Sequence, residues 1–227
     1  MVRVLAIADE EAPALTPQRL RELEVDLVLG AGDLPFDYLE YVASAADRPV
    51  LFVPGNHDPA QPLPRLTRRG TWVNDGIPAW DLRPWGGRNV DTDVTVESGL
   101  RVAGLGGCVR YRPGPNQYDQ RQFARRARRL LRRVRRSGGQ VDVLLTHAPP
   151  AGLGDGDDAA HHGVEVLHDV LDKLQPTWHL HGHIHPFGHP TPDRRVGRTT
   201  VANVIPYRVL EIDPREDPDV QQRLTTR

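Results

Sequence analysis

The chain has one cysteine, Cys108, one lysine, Lys173, and no apolar run long enough to cross a bilayer. A lone cysteine excludes an intramolecular disulfide framework and any thiolate cluster for zinc or iron–sulfur binding, and it fits a reducing cytoplasm. The first apolar stretch, Val2 to Ala8, is too short for a secretory signal core followed by a cleavage site. A cytoplasmic protein with no membrane partner is therefore expected. Lysine's near absence among 29 basic residues means that arginine has replaced it almost everywhere. That is the mark of a compositional bias in the source genome, and it weakens any case built on one arginine's fork geometry. The formal net charge of −1 excludes a chain that binds polyanions as a whole. Locally the balance differs, because nine arginines and no acidic residue lie between Arg121 and Arg136.

Composition is otherwise that of a globular protein, with 227 residues, 38% hydrophobic and 26% charged. One domain is expected over residues 1–214, followed by a polar tail at 215–227. The first third alternates strand and helix: Val2 to Ala8, Thr16 to Leu23, Val25 to Leu29, Pro35 to Ala46 and Val50 to Val53. Short strands separated by helices imply crossover units and a mainly parallel sheet. Alternation at Val90 to Val96, then Leu100 to Leu105 through Ser98-Gly99, predicts a hairpin in a second sheet. A helix near Gln117 has Phe123, Ala127, Leu130, Leu131 and Val134 on one face and ends at Gly138-Gly139. Strands at Val141 to Leu145, Thr177 to Leu180, Thr199 to Val204 and Arg208 to Ile212, with a helix over Val164 to Leu174, complete an α/β chain.

Five short patches carry candidate metal ligands, each just after a predicted strand: Asp9-Glu10-Glu11, Gly32-Asp33, Gly55-Asn56-His57-Asp58, Thr146-His147 and Gly182-His183-Ile184-His185. Groups at the carboxyl ends of several strands of an open α/β sheet converge on one crevice. Asp33 has two oxygens to share between two cations, and His147, His183, His185 and the amide oxygen of Asn56 supply mixed nitrogen and oxygen donors. Such a set suits manganese, iron, zinc or cobalt better than calcium. Its chemistry is attack on phosphorus by a metal-bridging hydroxide. His57 projects away from its neighbour Asn56, towards substrate, where it protonates the leaving oxygen or stabilises developing charge, with Asp58 as an orienting partner.

The ordered patches resemble the calcineurin-like metallophosphoesterases, whose signature runs Asp-x-His, Gly-Asp, Gly-Asn-His-Asp/Glu, a lone His and Gly-His-x-His. The resemblance spans Asp9 to His185. It implies a double β-sheet sandwich flanked by helices and a centre of two divalent or trivalent metal ions, manganese or iron before zinc or cobalt. Asp9, Glu11, Asp33 and His185 would hold one ion, and Asp33, Asn56, His147 and His183 the other, with His57 as the catalytic histidine. The implied partner is a small phosphate ester, a monoester or a diester. One position departs from the family: residue 11 is Glu where the family has His, as in a bacterial branch that carries Asp-x-Glu. A third carboxylate beside Asp9 and Asp33 would make the centre more anionic, its water less acidic and its preference shifted towards manganese or iron.

Two alternatives stand beside this function. One is a non-catalytic protein-interaction scaffold on the same fold, against which the presence of His57, His183 and His185 speaks. The other is a nuclease or nucleic-acid phosphatase that uses the arginine-rich helix, although that helix lacks interleaved aromatics for stacking. His161, His162, His168, His179, His181 and His189 are expected on loops or at the surface, with His161 and His162, and also Arg110, Tyr111 and Asn116, as candidates for substrate contact. Substrate identity and oligomeric state depend on loops whose placement a sequence does not give.

Overall fold

The computed structural model describes residues 1–59, 84, 86–188 and 191–215, and the backbone of three short strands in between. The expected tail lies outside the described residues from position 216 onward, as does His189. In chain order the elements are β1 Val2–Ile7, α1 Pro17–Glu22, β2 Leu27–Gly30, α2 Phe36–Ala46 and β3 Val50–Phe52. Next come the short strands β4 Arg65–Leu66, β5 Trp72–Asn74 and β6 Ile77–Pro78, then β7 Gly87–Asn89, β8 Val94–Glu97 and β9 Leu100–Leu105. A two-stranded piece, β10 Cys108–Val109 and β11 Gln117–Tyr118, precedes α3 Gln120–Arg136 and β12 Val143–Thr146. The chain closes with α4 Leu167–Leu174, β13 Trp178–His181, β14 Arg194–Val196, β15 Thr199–Asn203 and β16 Tyr207–Ile212.

These strands build two large sheets, one ordered β16-β1-β2-β3-β7 and the other β14-β15-β13-β12-β9-β8. In the first, β1, β2, β3 and β7 run parallel and β16 is antiparallel. In the second, β15, β13, β12 and β9 run parallel, with antiparallel strands at both edges. Val4, Leu29 and Leu51 from the first sheet share a core with Val102, Val143, Leu145 and Leu180 from the second. On the outer face of the first sheet, Leu5, Val28 and Phe52 pack with Leu20, Leu39 and Val42 of α1 and α2. On that of the second, Ala103, Leu144 and Val201 pack with Phe123, Leu130, Val170 and Leu171 of α3 and α4. The result is a double β-sheet sandwich flanked by helices, as expected. Because both faces of each central strand are covered, the strands read as continuous apolar runs, and each fully buried Leu or Val contributes about 1.5–3 kcal/mol. Among the described residues no helix is long and apolar enough to cross a membrane.

Some boundaries differ from expectation for local reasons. The stretch expected as one strand from Val90 is the crossing between sheets: β7 belongs to the first and β8 to the second. Asn89 Oδ1 accepts the Asp91 N–H (2.8 Å), and Thr92 takes a φ of 53°, which breaks the extended run. The arginine-rich helix starts at Gln120, because Asp119 caps it and Gln122 closes a reciprocal capping box. Gln117–Tyr118 pairs instead with β10. His179 and His181 are not at the surface: both lie in β13 and are buried, because that strand sits inside the second sheet beneath the helices.

His179 carries a pH test. Thr146 Oγ1 donates its hydrogen to the Ala148 carbonyl (2.7 Å) and so accepts from His179 Nε2 (2.8 Å), leaving Nδ1 buried without a partner. Burial, helped by His181, holds this imidazole well below its ordinary 6.5. As pH falls through 6.5, the unfolded chain gains a proton at this site that the folded chain refuses. Stability is therefore lost on acidification, at up to about 1.4 kcal/mol per pH unit for one proton. His179→Gln keeps a donor for Thr146 but cannot titrate. It should flatten the fall in unfolding free energy below pH 6.5 by about one proton in denaturant titrations at stepped pH; an unchanged slope would mean that His179 protonates in place.

Candidate metal centre

The loops that follow β1, β2 and β3 meet those that follow β12 and β13. Backbone hydrogen bonds stitch them together, Asp9 N–H to the Gly32 carbonyl (3.1 Å) within one sheet and Gly182 N–H to the His147 carbonyl (3.0 Å) within the other. Across the two sheets, the His183 N–H donates to both Asp9 oxygens (3.1 and 2.9 Å). Asp9, Asp33 and His183 all have positive φ, at 61°, 56° and 69°. Left-handed backbone at non-glycine residues is costly and gathers at sites where surrounding structure enforces it. Gly55 and Gly182 allow the close approach: a Cβ on the first would collide with Asp33 Oδ1, and one on the second with Asp9 Oδ2.

Asp33, His147 and His183 each offer a ligand atom, and these atoms lie within 4.8 Å of one another. His147 is fully buried, and its Nδ1 lies 2.8 Å from the Ala31 carbonyl, which can only accept. The Nδ1 hydrogen is thereby assigned, and in the neutral ring Nε2 presents a lone pair. That lone pair faces Asn56 Oδ1 at 3.0 Å and Asp33 Oδ2 at 3.3 Å. Three acceptors thus face each other with no hydrogen to share, an arrangement that repels unless a cation stands between them. In the metal-free chain the cation is a proton. Burial would lower the His147 imidazole, but the Asp33 carboxylate, with Asp9 and the Ala31 carbonyl, reverses that and raises it to about 9. His183 behaves oppositely: burial and the neighbouring His147 push it down to about 3. Its Nε2 is committed to the Ala160 carbonyl (2.9 Å), which leaves Nδ1 as its donor atom. The residues present therefore fit a cation.

Asp9 is held near neutrality, since burial raises its carboxyl to about 6 against the pull of His147, His185 and the His183 N–H. For Asp33, burial also acts upward, but the charge and hydrogen bond of His147 and the His57 N–H outweigh it and hold the carboxyl below its ordinary value. The His57 N–H donates to Asp33 Oδ1 (2.7 Å), while the residue itself is exposed. His185 Nε2 lies 3.9 Å from Asp9 Oδ1. Its Nδ1 pairs with Glu10 Oε1 at 2.8 Å. Glu11 is exposed and lies instead in the wall of a groove of about 500 Å³ with Pro13, Asp37, Tyr38 and Tyr41.

Sequence reasoning missed the residues that hold the loops in register. Asp58 is buried and accepts the N–H groups of Gly55 (2.7 Å) and Asp33 (3.0 Å), so it fastens the loops after β2 and β3 together. Asn116 Nδ2 donates to the carbonyls of Gly55 (2.8 Å) and Asp58 (3.2 Å), and the Asn56 amide donates to the Tyr111 hydroxyl (3.4 Å). Arg110 binds the Gln117 carbonyl (3.1 Å) and Gln122 Oε1 (2.9 Å). His161 reaches the site: its ring centroid lies 5.6 Å from that of His183, and its Nδ1 is tied to Asp158 (2.7 Å).

Comparison with known proteins agrees with this geometry. The family model described as calcineurin-like phosphoesterase matches residues 7–187. Two Caenorhabditis elegans proteins match over shorter stretches. UPF0046 protein C25E10.12 is 33% identical over 69 residues, 28% of this chain and 25% of its own length. UPF0046 protein T07D4.2 is 47% identical over 47 residues, 20% of this chain and 12% of its own length. The aligned stretches thus span a quarter or less of these relatives. Among solved structures, TT1561 of Thermus thermophilus superposes with a TM-score of 0.58 at 16% identity, covering 88% of this chain and 87% of that one. A second crystal structure gives a TM-score of 0.59 at 17% identity, covering 88% of this chain and 89% of the other. At such identities the likeness is one of fold.

Proposed function

The chain belongs to the calcineurin-like phosphoesterase family, and from that premise we propose that it hydrolyses phosphate mono- or diesters at a centre of two metal ions. The supporting observation is the His147 Nε2 lone pair directed at Asp33 Oδ2 and Asn56 Oδ1, three acceptors that only a cation reconciles. Asp9, Asp33 and His185 would hold one ion, and Asp33, Asn56, His147 and His183 the other, manganese or iron before zinc or cobalt. Bound there, two cations supply an acidified water and neutralise phosphate charge. His57, exposed beside Asp33, meets the leaving oxygen. The Ala31 and Ala160 carbonyls fix the two buried imidazoles so that Nε2 of His147 and Nδ1 of His183 point inward. Turnover of p-nitrophenyl phosphate and bis-p-nitrophenyl phosphate with added manganese, lost on chelation and restored on re-addition, is the expected result. No turnover of either ester together with no bound metal would favour a protein-interaction scaffold.

The motif spacing assigns metal ligation to Glu11, whereas the carboxylate that pairs with His185 is that of Glu10. A histidine that donates one ring N–H to a carboxylate presents its other nitrogen to a metal with a fixed tautomer, and loss of such a partner weakens metal binding by roughly 10- to 100-fold. Glu10 stands in that relation to His185. Glu10→Gln is therefore expected to weaken manganese binding by about 10- to 100-fold in titration calorimetry, with Glu11→Gln close to wild type. A larger loss in Glu11→Gln would restore Glu11 as a ligand.

A further inference from the structure

Nine arginines stand on α3, and two of them have side-chain partners among the described residues. Arg126 lies 3.9 Å over the Tyr118 ring and bonds both Asp91 oxygens (2.7 and 2.8 Å); Arg133 bonds the Thr92 carbonyl (2.8 Å) and pairs with Asp93 (3.1 Å). Seven others are exposed. Arg121, Arg125, Arg128, Arg132 and Arg135 follow one another at steps of four and three residues, with Arg129 and Arg136 beside them. That periodicity makes a single stripe along the face opposite Phe123, Ala127, Leu130 and Val134, which are buried against the second sheet.

Genome bias explains why these residues are arginine rather than lysine. It does not explain their sign. The chain has 30 acidic residues for 29 basic ones, yet α3 carries no carboxylate. A helix that is merely solvated mixes charges, because like charges at i,i+3 and i,i+4 oppose its formation. The stripe thus works against its own helix, and among the described residues no carboxylate pairs with its seven exposed arginines.

We propose that this face of α3 is a landing surface for the phosphate backbone of nucleic acid, read without regard to base sequence. The stripe from Arg121 to Arg135 is roughly 21 Å long at 1.5 Å per residue. One strand of a duplex presents a phosphate every 3.4 Å of axis, so about six phosphates lie along that length. Seven exposed guanidiniums match that charge density, and each can grip a phosphate through two N–H donors. The exposed positions of α3 offer no aromatic or large apolar anchor of the kind that dominates protein interfaces or inserts into lipid. The loop that precedes the stripe touches the proposed metal centre. The loop that leads into α3 holds Tyr111, which accepts from Asn56 (3.4 Å), and Asn116, which clamps Gly55 (2.8 Å), while exposed Arg112 lies 5.2 Å over the Tyr111 ring. This surface stands whether or not the proposed hydrolysis does, because binding is measured apart from turnover.

The test is fluorescence anisotropy of a labelled 20-base-pair DNA duplex with the full chain over 50–200 mM salt. About six neutralised phosphates give a slope of log K against log salt near −5.4. The combined variant Arg125→Gln, Arg128→Gln, Arg132→Gln and Arg135→Gln removes four exposed charges and keeps good helix formers. It should bring the slope to about −1.8 and cut affinity at 50 mM salt by about 100-fold or more, with the melting temperature and the turnover of bis-p-nitrophenyl phosphate unchanged. No binding at 50 mM salt, or an unchanged slope in the variant, would overturn the proposal. So would tighter binding to poly-glutamate, or to phosphatidylserine vesicles, than to the duplex.

Discussion

Asp33→Asn is expected to reduce kcat/KM on bis-p-nitrophenyl phosphate by about 10³-fold or more, equivalent to about 4 kcal/mol of transition-state stabilisation. The substitution keeps the shape of the side chain and removes one negative charge and one acceptor. Its amide can turn a donor towards His147 Nε2, so the lone pair that now waits for a cation is satisfied from within the chain. A second readout needs no substrate. In the metal-free wild type the Asp33 carboxylate is what carries the His147 imidazole to about 9 against the effect of burial. Without that charge burial prevails, and histidine NMR titration should find His147 below its ordinary 6.5. Stability must follow. Because its folded value is raised, His147 contributes stability that is complete below pH 6.5 and is lost as pH rises through about 9. The alkaline fall in unfolding free energy should therefore shrink in the variant. Wild-type turnover and metal content in Asp33→Asn would remove the two-metal proposal.

The fold and the gathering of the motif loops were legible for one reason. Apolar runs such as Val50 to Val53 each end in a short polar motif, and in a parallel sheet such ends gather on one side. Less legible was anything that depends on direction within a loop. Glu10 and Glu11 are adjacent carboxylates, and which one turns to His185 depends on Asp9, whose φ of 61° no pattern announces. Asp58 and Asn116 act through backbone N–H and carbonyl groups from 25 and 61 residues away, a relation that leaves no trace in local spacing. His179 and His181 read as polar, yet strand β13 is covered on both faces and buries them. Their neighbour Thr146 supplies a partner for one of them, a pairing across 33 residues. The boundary of α3 was recoverable in principle, since Asp119 and Gln122 form a capping box three residues apart.

His57→Ala is expected to lower kcat by about 10²- to 10⁴-fold while sparing both metal binding and the fold. The reason for the separation is that the residue's link to the centre runs through its backbone: the His57 N–H, not the ring, donates to Asp33 Oδ1 at 2.7 Å. Alanine keeps that bond, so manganese affinity by calorimetry should match wild type, in contrast to Asp33→Asn. What is lost is the exposed imidazole. If the ring delivers a proton to the departing oxygen, its removal must matter most for leaving groups that cannot depart as anions. The deficit should therefore be larger for phenyl phosphate esters than for their p-nitrophenyl counterparts, whose phenolate leaves unaided. An equal deficit for both would assign the ring to stabilising charge on phosphorus instead. His161 provides the control, because its ring lies 5.6 Å from that of His183 and Asp158 ties its Nδ1 in place. A leaving-group-dependent loss in His161→Ala, with none in His57→Ala, would transfer the proton-donating role to the loop after β12.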